Sequence, residues 1–311
     1  MSDKQKNLVV RFITGVLFVA IMVAGMMQPF ALIFLFAIIT ALTTWEFCGL
    51  INRQEDPTVP MGLSRHPHEK DESVNGQSEV TVNRLICTVA GTYFFLAVAA
   101  VNSGLVISNA VFVPYLLTII YLFVSELYLK NKNPLHDWAY TMLSQMYIAL
   151  PFSMINVLAF RNMPDQSVGF YYLLPLSIFI FLWINDTGAY CAGSLFGRHR
   201  LFERISPKKS WEGSIGGGVL VLIAAAIIWH IEQQGENLSG LNLIEWLGLG
   251  LVVVVFGTWG DLVESLFKRT LGIKDSGNIL PGHGGMLDRF DSSLLAIPAA
   301  VVYLFTLQMF T

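Results

Sequence analysis

One stretch decides the fold class: LIEWLGLGLVVVVFGTWG, residues 243–260, followed at once by DLVESLFKR, residues 261–269. The apolar part carries one charged residue, Glu245, and is close to the ~20 residues that a helix needs to cross the hydrocarbon core. Of the 311 residues, 54% are apolar and 13% are charged, whereas a typical globular chain is about 25% charged. The composition predicts an integral membrane protein. With a net charge of −3, it excludes a nucleic-acid binder built on a basic face.

Similar stretches recur along the chain and predict an all-α polytopic integral membrane protein. About nine of them are long and apolar enough to be transmembrane helices, at residues 8–27, 29–50, 84–101, 105–129, 138–160, 169–196, 215–231, 243–260 and 292–310. The first follows Lys4 and Lys6, as in a signal peptide. Because no small-residue cleavage site follows it, we interpret it as a retained helix.

The distribution of Lys and Arg predicts the orientation in the membrane. With Arg11 counted in the N-terminal tail and Arg84 in the segment before its span, every Lys and Arg except Arg161 lies on one side of the predicted spans. This side is therefore cytoplasmic, with the N-terminus inside and the C-terminus outside. Residues 52–83 belong to it and are polar, rich in Pro and Gly and without an apolar period. They predict a flexible cytoplasmic loop.

Charged groups collect where two predicted spans reach the cytoplasmic face. Asp186 lies within WINDTGAY, residues 183–190. In the second span, one helix face would carry Asp261, Glu264, Ser265 and Lys268. Charges at membrane depth are costly, so they usually line a polar cavity or pair with each other. A structural interpretation stays open, in which Asp186 pairs with an Arg and Glu264 with Lys268.

A glycine-rich segment, PGHGGMLDRFD at residues 281–291, precedes the last span. Glycine lets backbone N–H groups approach an anion closely. Asp288 and Asp291 are three residues apart and would lie on one helix face, and their hard oxygens suit Mg²⁺ shared with substrate phosphates. A turn followed by an acidic helix cap would explain one of the two aspartates.

The segment SPKKSWEG, residues 206–213, adds basic side chains at the same face. Lysines there would hold anionic headgroups or nucleotide phosphates, although the positive-inside rule alone could account for them. His283 could act as a general base, but a histidine between glycines more often has a structural role or donates a hydrogen bond to a phosphate. Carboxylates, lysines and glycines on one membrane face together indicate phosphoryl or nucleotidyl transfer.

These residues resemble a known signature. SLFKR at 265–269, KD at 274–275 and PGHGGMLDRFD at 281–291 are similar to the signature of the phosphatidate cytidylyltransferase (CDP-diacylglycerol synthase) family. DTGAY at 186–190 and SPKKSWEG at 206–213 also resemble motifs of that family. The signature spans residues 265–291, and we predict that residues 1–160 form N-terminal transmembrane helices with the flexible cytoplasmic loop at 52–83. Residues 161–311 would be the catalytic transmembrane region, with a polar active-site cavity at the cytoplasmic membrane face.

The resemblance further implies transfer of CMP from CTP to phosphatidate, with Mg²⁺ and a neighbouring monovalent cation such as K⁺, in a homodimer. A single compact chain without a transit peptide suggests a bacterial inner membrane. Carried over by position, the metal ligands would be Asp261, Asp288 and Asp291. The catalytic residues would be Ser265, Lys268, Arg269 and Asp288. The substrate-binding residues would be Ser206, Lys208, Lys209, Ser210, His283, Gly284, Gly285 and Arg289, with Asp186 as a further candidate.

The residues fit that reaction. A phosphomonoester has a second pKa near 6, so phosphatidate is mostly ionised at neutral pH and needs no general base. The obstacle is repulsion between two anionic substrates, which metal and basic side chains would screen. Two alternatives stay open: a CTP-dependent kinase of a polyprenol or phytol type, which would release CDP, and a cation-coupled transporter using Asp186 and Asp261.

Overall fold

The computed structural model describes residues 3–52, 74–129, 134–162, 167–235, 239–277, 279 and 284–310. Within them the chain is mostly helical, with ten α-helices. They are α1 (Asp3–Met26), α2 (Pro29–Asn52), α3 (Val74–Asn102), α4 (Val113–Ser125), α5 (Pro134–Ser144), α6 (Leu150–Ala159), α7 (Leu173–Phe196), α8 (Trp211–Glu232), α9 (Leu243–Thr270) and α10 (Leu287–Phe310). A 3₁₀ turn, Asn109–Phe112, leads into α4, and a π turn, Gln145–Ala149, joins α5 to α6.

Two short antiparallel hairpins flank α7 in the sequence. Strands β1 (Phe160–Asn162) and β2 (Val168–Phe170) precede it, with Phe160 opposite Phe170. Strands β3 (Arg200–Phe202) and β4 (Ser206–Ser210) follow it, with an irregularity in register between Arg200 and Phe202. The second hairpin contains most of the basic segment predicted at the cytoplasmic face.

Seven helices in the described residues are long and apolar enough to cross a membrane. They are Pro29–Asn52, Arg84–Asn102, Pro134–Ala159, Leu173–Phe196, Trp211–Glu232, Leu243–Thr270 and Leu287–Gln308. Two shorter apolar helices, Phe12–Met26 and Asn109–Ser125, occupy the predicted first and fourth spans. The prediction of an all-α membrane protein is confirmed.

Several predicted boundaries were wrong, each for a local reason. Helix α3 begins at Val74, so residues 74–83 are helical and not loop; residues 53–73 lie outside the described part. The predicted sixth span began at residue 169, but residues 169–170 pair with β1, and the helix begins at Leu173. Helix α9 continues to Thr270 because residues 261–270 contain neither Gly nor Pro, and Gly272 follows with a positive φ of 68°.

Helix α8 also begins earlier than predicted, at Trp211 instead of residue 215. The Ser210 hydroxyl accepts a hydrogen bond from the Gly213 N–H at 3.1 Å. A serine in this position satisfies one of the N–H groups that a helix start leaves without a partner. Helix α10 similarly begins at Leu287, which places Asp288 in its first turn.

The chain divides into two compact units, and neither is one continuous stretch. The first unit comprises Met1–Phe18, Ile33–Ser153 and Lys268–Asp288. Its core contains Phe36 against Phe152, with ring centroids 6.1 Å apart, and the buried Gln145, whose amide donates to the Cys87 carbonyl at 3.0 Å. The predicted division of the chain at residue 160 stays a prediction.

The second unit comprises Val19–Leu32, Met154–Phe267 and Arg289–Thr311. Its core contains Trp246, whose indole N–H donates to the buried Glu232 at 2.8 Å. Helices α7 and α8 pack with almost no space between their backbones. A Cβ at Gly217 would lie 2.6 Å from the Asn185 carbonyl oxygen, and one at Gly188 would lie 2.9 Å from the Gly217 Cα. The small residues thus bring the β3–β4 hairpin, which joins these helices, close to the polar residues of α7.

Candidate active site

The first cluster of predicted site residues lies in the first unit, around the Asp288 carboxylate. Lys268 Nζ, near the end of α9, is 2.7 Å from Asp288 Oδ1. The backbone N–H groups of Ser276 and Gly285 both donate to Asp288 Oδ2 at 2.9 Å. The side chains are largely buried, with 13% of Lys268 and 7% of Asp288 exposed. Within the signature, one side chain and two backbone N–H groups therefore contact the carboxylate of the same aspartate.

Glycine is required in this turn. Gly284 has a φ of +82°, and a Cβ there would lie 2.7 Å from Asp288 Oδ2. The predicted close approach of glycine backbone to an anion occurs in the structure, but the anion is the Asp288 side chain. Pro281, Gly282 and His283 lie outside the described residues, so the predicted role of His283 stays a prediction.

Sequence reasoning missed one residue of this cluster, Glu46 of α2. It is buried, and its carboxylate accepts a hydrogen bond from the Met286 N–H at 2.9 Å. A signal was present, since Glu46 is the sole charged residue in the predicted 29–50 span, and an ionisable residue inside such a span usually marks function.

The second cluster lies in the second unit, around Asp261 of α9. Lys209 Nζ, on β4, is 2.5 Å from Asp261 Oδ2. The Ser265 hydroxyl, one helical turn further along α9, donates to Asp261 Oδ1 at 3.1 Å. This pair is more open than the first, with 26% of Lys209 and 28% of Asp261 exposed. The structure thus brings together residues from two separate predicted motifs.

A cavity of about 210 Å³ adjoins Lys209 in the same unit. Its lining combines the DTGAY and SPKKSWEG segments: Asn185, Asp186, Ala189, Tyr190, Lys208, Lys209, Ser210, Gly213, Ser214 and Thr258. Asp186 interacts electrostatically with Asp261, Lys209 and Arg289. The buried Asn185 Oδ1 has no hydrogen-bond partner among the described residues. The cavity therefore combines two lysines that can bind phosphates with the carboxylate of Asp186.

Contacts of the Glu212 carboxylate fix the basic hairpin at the start of α8. Glu212, in the first turn of the helix, accepts the N–H groups of Arg198 and His199 at 3.1 and 3.2 Å. Its Oε1 also lies 2.6 Å from His199 Nδ1. These contacts join the two ends of the β3–β4 segment, so that Lys208 and Lys209 are held on a short, closed hairpin.

Comparison with known proteins identifies the family of the chain. The sequence profile of the "Cytidylyltransferase family" matches residues 6–307, nearly the whole chain. The chain belongs to the cytidylyltransferase family.

Three curated relatives of the chain carry the name "Phosphatidate cytidylyltransferase". The protein of Staphylococcus aureus strain COL is 40% identical over 170 residues, and that of Staphylococcus haemolyticus strain JCSC1435 is 40% identical over 169. That of Staphylococcus saprophyticus is 39% identical over 171 residues. Each match covers 54% of this chain and 60% of the relative, so the chain spans about three fifths of the relatives it matches.

The donor chemistry of the site fits a divalent cation best at Asp261. An ionised carboxylate has about four lone-pair sites, and Asp261 accepts one bond at each oxygen in the described part of the chain. Asp288 is more fully engaged, because Lys268 and two backbone N–H groups already occupy its oxygens. Among the described residues, no group of three or more His, Cys, Asp or Glu is arranged to hold a metal by itself. Substrate phosphates would complete such a site, as is usual for Mg²⁺.

The remaining predicted residues lie at the margins of these clusters. Arg269 and Arg289 are exposed, and Arg269 Nη1 donates to the Ile273 carbonyl at 3.4 Å. Asp291 Oδ1 accepts the N–H of its neighbour Ser292 at 2.5 Å. Ser206 lies half-buried at the start of β4. Their predicted roles in substrate and metal binding stay predictions.

Proposed function

We propose that this cytidylyltransferase-family protein transfers CMP from CTP to phosphatidate, forming CDP-diacylglycerol and pyrophosphate. The observation that carries the proposal is the cavity lined by Asp186, Lys208 and Lys209 beside the Lys209–Asp261 pair. The names of the relatives support the choice of substrates. Two lysines and Asp186 in the lining, with Asp261 paired to one of those lysines, suit the binding of a metal-complexed triphosphate.

The reaction requires charge neutralisation more than proton transfer. An ionised phosphatidate oxygen attacks the α-phosphorus of CTP, a new P–O bond forms, the α–β anhydride bond breaks, and pyrophosphate leaves. Lys208 and Lys209 would offset the negative charge that accumulates on the phosphates. Because Lys209 and its partner Asp261 are both partly exposed, Lys209 can bind a phosphate oxygen without leaving a buried charge behind.

The proposal includes a requirement for Mg²⁺. A bound magnesium ion would neutralise phosphate oxygens and orient them for in-line displacement. Asp261, with acceptor capacity to spare, is the best supported ligand, and Asp186 interacts with the same charges. The assignments of Asp288 and Asp291, and of a neighbouring monovalent cation such as K⁺, are carried as predictions from the signature.

We propose further that the protein is a homodimer in a bacterial inner membrane. About nine spans would then place the N-terminus and the basic hairpin in the cytoplasm, where CTP is available, while phosphatidate enters from the inner leaflet. A reporter enzyme fused after Thr311 should therefore lie on the outer side of the membrane and show its activity there. Cytoplasmic activity of that reporter would contradict the orientation.

The activity can be tested with purified protein in mixed micelles containing phosphatidate, Mg²⁺ and CTP labelled at the α-phosphate. Label should enter the lipid, and Lys209→Ala should lower kcat/KM about a hundredfold, in line with the loss of a positioned charge. Arg204→Ala is the matched control, because it also removes one positive charge from an exposed position of the same hairpin. This variant should retain activity.

Two outcomes would contradict the proposal. Folded protein that leaves the lipid unlabelled is not a phosphatidate cytidylyltransferase. Transfer of label from γ-labelled CTP to a polyprenol, with release of CDP, would identify the protein as a kinase instead.

A further inference from the structure

The carboxylate of Glu46 is buried where a charge is costly. Only 6% of the residue is exposed, and it belongs to α2, a helix with the composition of a transmembrane segment. A buried carboxylate is tolerated when hydrogen bonds or opposite charges replace its lost hydration. The partners of Glu46 therefore indicate its role.

Those partners all come from the signature segment, about 230 residues further along the chain. The Ser276 hydroxyl and the Leu287 N–H donate to Glu46 Oε1, the latter at 3.1 Å, and the Met286 N–H donates to Oε2 at 2.9 Å. Met286 and Leu287 are at the very start of α10, where backbone N–H groups lack partners within the helix. Glu46 caps α10 from a different helix.

Ser276 connects this cap to Asp288. Its hydroxyl donates to Glu46 and accepts the Asp288 N–H at 3.3 Å, while its own N–H donates to Asp288 Oδ2 at 2.9 Å. Asp288 Oδ1 in turn contacts Lys268. A continuous hydrogen-bonded chain therefore runs from Glu46 through Ser276 and Asp288 to Lys268.

Two glycines of the signature leave room for the Glu46 side chain. A Cβ at Gly277 would lie 2.7 Å from Glu46 Oε2, and one at Gly285 would overlap both Glu46 Oε1 and the Ser276 hydroxyl. The signature segment is shaped around this carboxylate, and a larger residue at either position would push it away.

We propose that Glu46 is a positioning residue, which holds Ser276 and the start of α10 so that the Asp288 carboxylate stays directed at Lys268. This inference rests on the proposed function for its kinetic consequences but not for its structural ones. Glu46 acts through Asp288 and does not touch substrate. Three donors converge on its two oxygens, so the role requires a hydrogen-bond acceptor at each oxygen.

Glu46→Gln tests the proposal, because it keeps the volume but replaces one acceptor oxygen by an NH₂ group that faces donors. In the CMP-transfer assay we expect kcat to fall about tenfold to a hundredfold, as for a misplaced reactive group. KM for CTP should change less than about twofold, because the cavity residues are untouched. Glu46→Asp, which keeps the charge, should recover part of the loss.

Glu126→Gln is the matched control. Glu126 is also 6% exposed, follows α4 in the same unit, and undergoes the same chemical change. It should leave kcat unchanged. Equal losses of kcat in both variants, in proportion to their thermal stability, would show that Glu46 contributes only to folding and would overturn the proposal.

Hydrogen exchange gives a readout that does not depend on the substrate. The Met286 and Leu287 amides should exchange faster in Glu46→Gln than in the wild type, and at the wild-type rate in Glu126→Gln. Unchanged exchange would overturn the proposal. If the wild type fails to label phosphatidate but exchange responds as expected, the proposed function fails and the positioning role stands.

Ser276→Ala covers the case in which Glu46→Gln does not fold. It leaves the cap of Glu46 on Met286 and Leu287 but removes the hydroxyl that links it to the Asp288 N–H. We expect a loss in kcat of about tenfold, with unchanged KM for CTP. Wild-type kcat in Ser276→Ala would show that the hydrogen-bonded chain does not position Asp288.

Discussion

Two lysine–aspartate pairs, one in each compact unit, have the same chemistry in different surroundings. Lys268 and Asp288 are 13% and 7% exposed, and two backbone N–H groups also donate to Asp288. Lys209 and Asp261 are 26% and 28% exposed, with one further partner, the Ser265 hydroxyl. A buried pair with every oxygen engaged fixes backbone, whereas an open pair beside a cavity can exchange partners with a ligand. The contrast predicts that mutations at the first pair lower both stability and activity, whereas those at the second lower activity with little loss of stability.

The largest effect is expected from Lys268→Met. Removing one partner of a buried pair leaves an uncompensated charge, and the free energy of unfolding should fall by about 3–5 kcal/mol. Adding Asp288→Leu should restore part of that stability, because no buried charge is left, while activity stays lost. Thermal unfolding in detergent micelles measures both variants. A double variant less stable than Lys268→Met would mean that the Asp288 carboxylate matters to the fold mainly through the Ser276 and Gly285 N–H groups.

Lys209→Met should lower activity without the loss of stability expected for Lys268→Met. Partly exposed pairs contribute about 1 kcal/mol or less to stability, so the unfolding midpoint should stay near that of the wild type. CMP transfer should fall about a hundredfold, because a cation aimed at the phosphates is lost. A large drop in stability with little kinetic change would remove the distinction between the pairs.

Chemical modification would sharpen the comparison without a mutation. An amine-reactive reagent should modify Lys209 faster than Lys268, because Lys209 is more exposed. Pyrophosphate should protect Lys209 severalfold and leave Lys268 unaffected, since the open pair is the one expected to bind phosphates. Peptide mass spectrometry gives both rates. Equal protection of the two lysines would be evidence against the assignment of phosphate binding to the cavity.

The smallest effect is expected from Ser265→Ala. One neutral hydroxyl bond to a partly exposed carboxylate contributes about 0.5–1.5 kcal/mol, so kcat/KM should fall less than about tenfold. Steady-state kinetics on the same micelles would resolve this. A loss as large as that of Lys209→Met would assign Ser265 a direct role, as the signature suggests.

Local patterns were enough to predict most of the helices. Apolar length located the long helices because each one satisfies its own backbone hydrogen bonds, a property of the local segment. Boundaries were predicted less well where a side chain or strand partner decides them. Ser210 starts α8 through its own hydroxyl, and β1 takes up residues 169–170, which apolarity alone assigns to the next helix.

Motif spacing predicted which elements carry the candidate residues but did not predict their partners. Lys268 was expected to line a polar cavity, but its direct contact with the Asp288 carboxylate was not predicted. The partnership of Lys209 with Asp261 links segments 52 residues apart, and nothing in either segment specifies it. Glu46 was visible as a charge inside an apolar span, yet its three donors come from the far end of the chain.

The sequence by itself determined the membrane class, the order of the helices and the residue types available for phosphate chemistry, because apolar length and spacing act over a few helical turns. Only the tertiary structure decided which carboxylate meets which lysine and which backbone N–H. Those pairings depend on close approach between distant segments, such as the space that Gly277 and Gly285 leave for Glu46. Hydrogen bonds and ion pairs act over about 3 Å, so their partners are specified by packing and not by the pattern along the chain.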